Sequence, residues 1–382
     1  MTRRRLTGCD VFDGESLLVG ADVLLDGATI ADVGTDIDAA QADETIDLSG
    51  LTLAPGFIDL QVNGGGGVLF NDDPTVDGLR SIVSAHRRFG TTACLPTLIS
   101  DDVATMQAAI GAVREAIVSG VPGVIGIHLE GPHLNPVRRG VHDASQMRAL
   151  DDAALELLCS LQNGHTLVTL APDKVDGESI RRLTERGVRV FAGHSEATYD
   201  EVRAAIDCGL VGFTHLFNAM SQLTGREPGV VGAALDDPDT FAGVIADGFH
   251  VHPASLGIAL RAKPRGRIFL VTDAMPTVGS DSGQFDLHGV QVTATGGRCV
   301  TADGTLAGSD IGMIDAVKFM TSSGLADVHE ALRMAARHPA HALGASDRYG
   351  YARPGYRANL VALDDTLNVT ISFIDGDMEC YG

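Results

Sequence analysis

Positive charge is scarce in this 382-residue chain: 28 lysines and arginines stand against 50 aspartates and glutamates, a formal net charge of −22. That shortage excludes two classes of function. Sequence-independent nucleic-acid binding needs cationic patches that displace counterions. Docking on an anionic membrane surface needs clustered basic residues. We therefore expect no nucleic-acid partner and no membrane partner. The same shortage constrains small anionic ligands, which the overall field repels. Local cations or backbone N–H groups must gather them. Long apolar runs are also lacking: no stretch reaches the roughly 18 residues of a transmembrane helix. The basic opening Arg3–Arg5 is not followed by the apolar core of a signal peptide, because Gly8, Asp10, Asp13 and Glu15 interrupt it. Paired cysteine motifs are missing as well. Cys9, Cys94, Cys159, Cys208, Cys299 and Cys380 are scattered, with no C-x-x-C. This argues against a zinc knuckle or a dense disulfide frame and points to idle thiols in a reducing cytoplasm.

Apolar residues, by contrast, make up 45% of the chain, enough for one large core and a smaller one. Residues 1–52 alternate in short runs, and Asp22–Asp26 breaks at Asp26-Gly27, a hairpin signal. The stretch from about 354 has the same character, with Ala358–Leu363 and Val369–Ile374 ending at Asp375-Gly376. These two ends predict one small β-sandwich domain built from 1–52 and 353–382. Between them, in 53–352, short apolar runs alternate with helical patterns such as 76–89, 102–118, 151–162, 178–186 and 199–208. Eight runs recur: 56–62, 92–98, 124–130, 167–171, 188–194, 212–216, 241–247 and 268–273. Eight strand–helix repeats predict an α/β fold, a (β/α)8 TIM barrel, which typically spans about 250 residues.

Chemistry-bearing side chains sit at the carboxyl ends of these runs. Asp59 and Gln61 end the first, Glu130 the third, His194 the fifth, His215 the sixth, Asp247 the seventh and Asp273 the eighth. Barrel enzymes build their active sites at that face. A single strand-end histidine is usually a hydrogen-bonded structural residue. Glu130, His194, His215 and Asp273 on four different strands are hard to explain that way. Two imidazoles and a carboxylate form a common catalytic zinc set with one position left for water. A metal so held lowers the pKa of its water to about 7. A further carboxylate, Asp273 by position, then moves the proton.

The chain resembles the amidohydrolase superfamily and, within it, the N-acetylglucosamine-6-phosphate deacetylases. The resemblance rests on 55–59 (Pro-Gly-Phe-Ile-Asp), 128–132 (His-Leu-Glu-Gly-Pro), 170–172 (Leu-Ala-Pro), 192–198 (Ala-Gly-His-Ser-Glu-Ala-Thr), 214–220 (Thr-His-Leu-Phe-Asn-Ala-Met), 225–229 (Gly-Arg-Glu-Pro-Gly), 246–251 (Ala-Asp-Gly-Phe-His-Val), 271–275 (Val-Thr-Asp-Ala-Met) and 306–309 (Leu-Ala-Gly-Ser). Each stretch alone is weak; together and in order they are specific. The resemblance implies that Glu130, His194 and His215 hold the metal and that Asp273 is the catalytic acid/base. His142 would polarise the substrate carbonyl. Asn218 and Ala219 would offer backbone N–H groups to a sugar phosphate, and His250 would contact the sugar or phosphate. Arg226 would be lent across a homodimer to the phosphate. The implied reaction converts N-acetyl-D-glucosamine 6-phosphate to D-glucosamine 6-phosphate and acetate.

Several positions depart from the wider pattern. Many amidohydrolases carry His-x-His on the first strand and bind two metals; here the stretch reads Asp59-Leu-Gln61. We therefore expect one divalent metal per chain, zinc favoured, with iron, manganese and cobalt also suited to such a site. Gln61 is placed to hold water or substrate beside it, and Asp59 reads as structural. Lys174, past the fourth strand, reads as a solvated lysine rather than a bridging ligand. His252 reads as a bystander to His250. His133 stands where an aromatic residue is common, and Gly312 where a threonine is common. The alternatives are the galacto epimer as substrate, a cyclic amide or nucleobase, or a barrel that has lost catalysis.

Overall fold

The computed structural model describes residues 2–381. Its centre is a run of eight parallel strands, in sheet order matching chain order: Phe57–Val62, Thr91–Ile99, Gly126–Glu130, His165–Leu170, Arg189–Ala192, Gly212–Phe213, Phe241–Ile245 and Ile268–Val271. All eight coincide with the expected apolar runs. The strands read as nearly unbroken hydrophobic stretches because both faces are covered. Thr91–Ile99, for example, is buried at every position. Helices follow on the outside, and several start on their own side-chain caps. Asp102 accepts from the Thr105 amide and Asp176 from the Ser179 amide. Thr198 and Glu201 form a reciprocal capping box.

The first and eighth strands meet through only a short parallel bridge, Val62 with Ala274. A side chain completes the seam. Asp59, fully buried, accepts the Thr272 hydroxyl at 2.6 Å and the Thr272 amide at 3.3 Å. Burial raises its pKa to about 7 despite these donors. This contact matches the structural reading of Asp59.

Inside the barrel, two residues below Glu130, lies a polar layer the apolar pattern did not reveal. His128 contacts Thr97 at 3.2 Å and Thr169 at 2.7 Å, and Thr169 contacts Thr214 at 2.6 Å. Burial pushes the His128 pKa down to about 4, so the layer is neutral. It ties four strands together beneath the site.

The small domain has two sheets. One joins Arg3–Thr7, Asp22–Asp26, Thr29–Gly34 and Glu44–Asp47. The other mixes both ends of the chain: Asp10–Phe12, Leu17–Leu18, Thr52–Pro55, Leu360–Leu363, Val369–Ile374 and Asp377–Cys380. Leu6, Val23, Leu53, Leu360 and Phe373 fill a core of its own. The basic opening lies on the first sheet, where Arg3, Arg4 and Arg5 pair with Asp26, Glu44 and Asp22.

One element was missed in the sequence reading. A four-stranded antiparallel sheet, Gln284–Leu287, Val290–Thr295, Arg298–Thr301 and Leu306–Ser309, is inserted between the eighth barrel strand and its helix Met313–Ser322. The signal was available: alternating residues on either side of Gly296-Gly297 read as a hairpin. The last of these strands returns to the barrel. The Ser309 amide donates to the Asp273 carbonyl at 2.9 Å, and the Met275 amide to the Ser309 carbonyl at 3.0 Å. Gly308 has φ +74°, and a Cβ there would lie 2.8 Å from the Asp273 carbonyl oxygen. The 306–309 motif therefore clamps the backbone of Asp273.

Candidate active site

Glu130, His194 and His215 converge at the carboxyl end of the barrel. The Glu130 Oε1 atom lies 3.2 Å from His194 Nε2 and 3.0 Å from His215 Nε2, and the two imidazole nitrogens are 3.0 Å apart. All three residues are buried, and their ligand atoms lie within 4.8 Å of one another. His194 Nδ1 lies 2.7 Å from the Arg138 carbonyl, so it carries the ring proton and leaves the Nε2 lone pair facing inward. Three electron-pair donors crowded at one point fit a divalent cation, and this donor set suits zinc chemistry. Burial opposes ionisation of Glu130, but its close contacts with His194 and His215 outweigh it and hold the carboxyl well below its usual range. For His215, burial lowers the pKa, while its contact with Glu130 and that residue's charge raise it above the ordinary value.

Local backbone strain marks the same residues. His194, His215 and Asp273 take φ of +50°, +32° and +53°, as do Phe217 and Ala219 at +82° and +50°. Non-glycine residues rarely adopt this region, and such outliers cluster at functional sites. Here they turn strand-end side chains into a shared cavity.

That cavity has a volume of about 330 Å³ and is lined by Asn63, Glu130, His142, His194, His215, Ala219, His250, Asp273 and the Thr305–Gly308 edge, among others. Burial and the Glu130 charge raise the Asp273 pKa, opposed by His215, His250 and Asn63. A raised carboxyl suits a group that must both take and give a proton. Gln61 lies beneath the cavity and bridges two carboxylates. Its Nε2 is 3.2 Å from both Glu130 oxygens and 3.1 Å from Asp273 Oδ1. Asn63, which the sequence reading did not single out, donates to the same Asp273 oxygen at 2.7 Å. Its place two residues after Gln61 on an extended run was the available signal.

His142 reaches in from the loop after the third strand. Its Nδ1 accepts the Ser100 amide at 3.2 Å and lies 2.9 Å from the Ser100 hydroxyl. The proton is therefore on Nε2. Burial, with His194 next, pushes the His142 pKa down to about 3, so the ring is a neutral donor. His250 Nδ1 is fixed by Asp247 at 2.6 Å. The Asn218 amide turns back to the His215 carbonyl at 3.0 Å. No acceptor serves the Ala219 amide among the described residues.

Other residues stay apart. Arg226 is exposed on the loop after the sixth strand and does not line this cavity. Lys174 is at the surface, 3.5 Å from Asp173. His252 caps the helix Pro253–Ala262, accepting the Ala254 amide. His133 is buried and bonds the Arg148 carbonyl at 3.0 Å. Gly312 is explained by packing: a Cβ there would lie 2.3 Å from Phe89.

Comparison with known proteins agrees with this architecture. Residues 52–381 match the Amidohydrolase family. The chain is 45% identical over 327 residues to an N-acetylgalactosamine-6-phosphate deacetylase of a Shewanella species, covering 86% of this chain and 83% of that protein. It is 33% identical to the N-acetylglucosamine-6-phosphate deacetylase of Haemophilus influenzae, covering 97% and 98%. The crystal structure of N-acetylglucosamine-6-phosphate deacetylase from Pasteurella multocida superposes with a TM-score of 0.95 at 34% identity, covering 99% of this chain and 100% of that one. The barrel with its appended β domain, the buried Glu-His-His cluster and these relatives make the chain a metal-dependent amide hydrolase of the amidohydrolase family, in its branch of amino-sugar-phosphate deacetylases.

Proposed function

We propose that this enzyme hydrolyses the acetamide of N-acetyl-D-glucosamine 6-phosphate, releasing acetate and D-glucosamine 6-phosphate. The observation that carries the reading is the buried Glu130–His194–His215 cluster opening onto the same cavity as Asp273. Glu130, His194 and His215 hold one divalent metal, with zinc favoured and iron, manganese or cobalt also compatible. That metal would supply Lewis acidity toward water and the acetyl oxygen. Asp273 takes a proton from the attacking water and later gives it to the departing nitrogen. The His142 Nε2–H donates to the acetyl oxygen as negative charge develops there. Gln61 holds the two carboxylates apart and orients the water or substrate beside them. His250, the Ala219 amide and the Asn218 segment receive the sugar phosphate. Arg226, exposed in its own chain, is lent to the phosphate of a partner in a homodimer. A cytoplasmic setting fits the six free thiols.

A second reading has specific support: the Shewanella relative, at 45% identity, acts on the galacto epimer. Acetate release from both epimeric N-acetylhexosamine 6-phosphates, compared as kcat/KM, tests the proposal. A gluco preference supports it. A galacto preference replaces the substrate and keeps the chemistry, and activity on neither removes the function.

Arg226→Ala should raise KM for the phosphorylated sugar by about 10- to 100-fold, the loss of a charge-assisted contact worth roughly 1.5–3 kcal/mol. The unphosphorylated sugar should be little affected. Equal effects on both substrates would show that Arg226 does not read the phosphate.

A further inference from the structure

Two side chains of the reaction cavity carry a buried polar atom without a partner among the described residues: Nδ1 of His215 and Oδ1 of Asn63. Asn63 is the more informative, because its other end is strongly engaged. It follows the first barrel strand and is 1% exposed. Its backbone is tied on both sides, the amide to the Ala274 carbonyl and the carbonyl to the Phe70 amide, each at 2.9 Å. The side-chain amide is therefore not needed to close the turn. Its Nδ2 donates to Asp273 Oδ1 at 2.7 Å, the shorter of two donations to that oxygen. Gln61 supplies the other but also spans both Glu130 oxygens. Asn63 is thus the amide devoted to Asp273. No donor reaches Asp273 Oδ2 among the described residues. An asparagine retained for packing alone would have both ends bonded.

We propose that Asn63 is a positioning residue for proton transfer: by pinning Asp273 Oδ1, it leaves Oδ2 as the oxygen that accepts and returns the proton. The step balances without any co-reactant. The water oxygen forms the new bond to the acetyl carbon, and one water proton passes to Oδ2. The C–N bond then breaks with its electron pair kept on nitrogen, which takes the proton from Oδ2. The remaining water proton ends on the product amine as ammonium, and acetate leaves. Asn63 itself exchanges nothing. It fixes the carboxylate plane, which otherwise rotates about the Cβ–Cγ bond.

The inference rests on Asp273 being the acid/base, so its test separates the two. Wild type, Asn63→Ala, Asp273→Asn and the double variant are compared for turnover, metal content, melting temperature and affinity for glucosamine 6-phosphate. Asn63→Ala should lower kcat about 30- to 100-fold, at or below the low end of the 10²–10⁴ of a positioned acid/base. KM and product affinity should stay within about threefold. In the Asp273→Asn background the same change should cost less than about twofold, because groups acting as a unit are not additive. Asn63→Asp keeps the size but loses the Nδ2 donor, and should fall with Asn63→Ala. Losses that multiply in the double variant overturn the proposal. So does a kcat for Asn63→Ala within about threefold of wild type, or a loss of metal or thermal stability that accounts for the fall. Undiminished turnover of Asp273→Asn overturns the acid/base reading and this proposal with it.

Discussion

Asp273→Asn is expected to keep its metal and its substrate affinity while acetate release slows by at least about 10²–10⁴-fold. The substitution preserves size and removes the proton acceptor. The proposed ligands, Glu130, His194 and His215, are untouched, and so are the groups proposed to hold the phosphate. The backbone should hold as well, because the Ser309 amide and the 2.9 Å bond to the Asp273 carbonyl do not involve the side chain. The loss should appear in kcat rather than KM, as expected for an interaction made in the transition state. It should exceed a single-transfer value, since one carboxylate serves both proton movements. Metal content, affinity and turnover measured on one preparation decide the matter. Turnover within about tenfold of wild type removes Asp273 from the mechanism. Loss of the metal makes it a ligand instead.

Purified protein should contain one tightly held divalent metal per chain, and His215→Ala should lose both the metal and the activity. The first barrel strand supplies Gln61 where a second site would need imidazole, and the Gln61 amide already bridges Glu130 and Asp273. Lys174 is a surface residue and cannot bridge two metals from there. Removing one of three ligands should weaken affinity at least as much as the 10–100-fold typical of outer-shell changes. Proton competition adds a direction. His215 has a raised pKa through Glu130, so in the metal-free chain it takes up a proton as pH falls, and metal retention should weaken on the acid side. Elemental analysis and metal titration across pH measure both. Two equivalents with activity needing both, or a His215→Ala variant that keeps metal and rate, would require a different site.

Much of this was legible in the sequence because barrel architecture writes itself locally. Each parallel strand is covered on both faces, so it shows as a short apolar run, and the proposed metal ligands and Asp273 stand where such runs end. That is why Glu130, His194, His215 and Asp273 stood out before any contact was known. Hairpin turns such as Asp26-Gly27 and Asp375-Gly376 were legible for the same reason, since turn chemistry is a property of two or three adjacent residues. The inserted sheet at 284–309 carried a comparable signal at Gly296-Gly297, but the run of barrel repeats masked it.

Tertiary structure alone decided what depends on residues far apart in the chain. Asp59 meets Thr272 only because the barrel closes, and their separation of 213 positions leaves no local trace. The His128–Thr97–Thr169–Thr214 layer joins four strands through side chains that each look unremarkable alone. Asn63 acquires its place beside Asp273 the same way, across 210 positions. The ring proton of His142 is assigned by Ser100, on a different strand end. The chain's own pattern determined which residues reach the mouth of the barrel. Closure of the barrel determined which of their atoms face one another, because hydrogen-bond partners and desolvation are set by distance in space, not by distance along the chain.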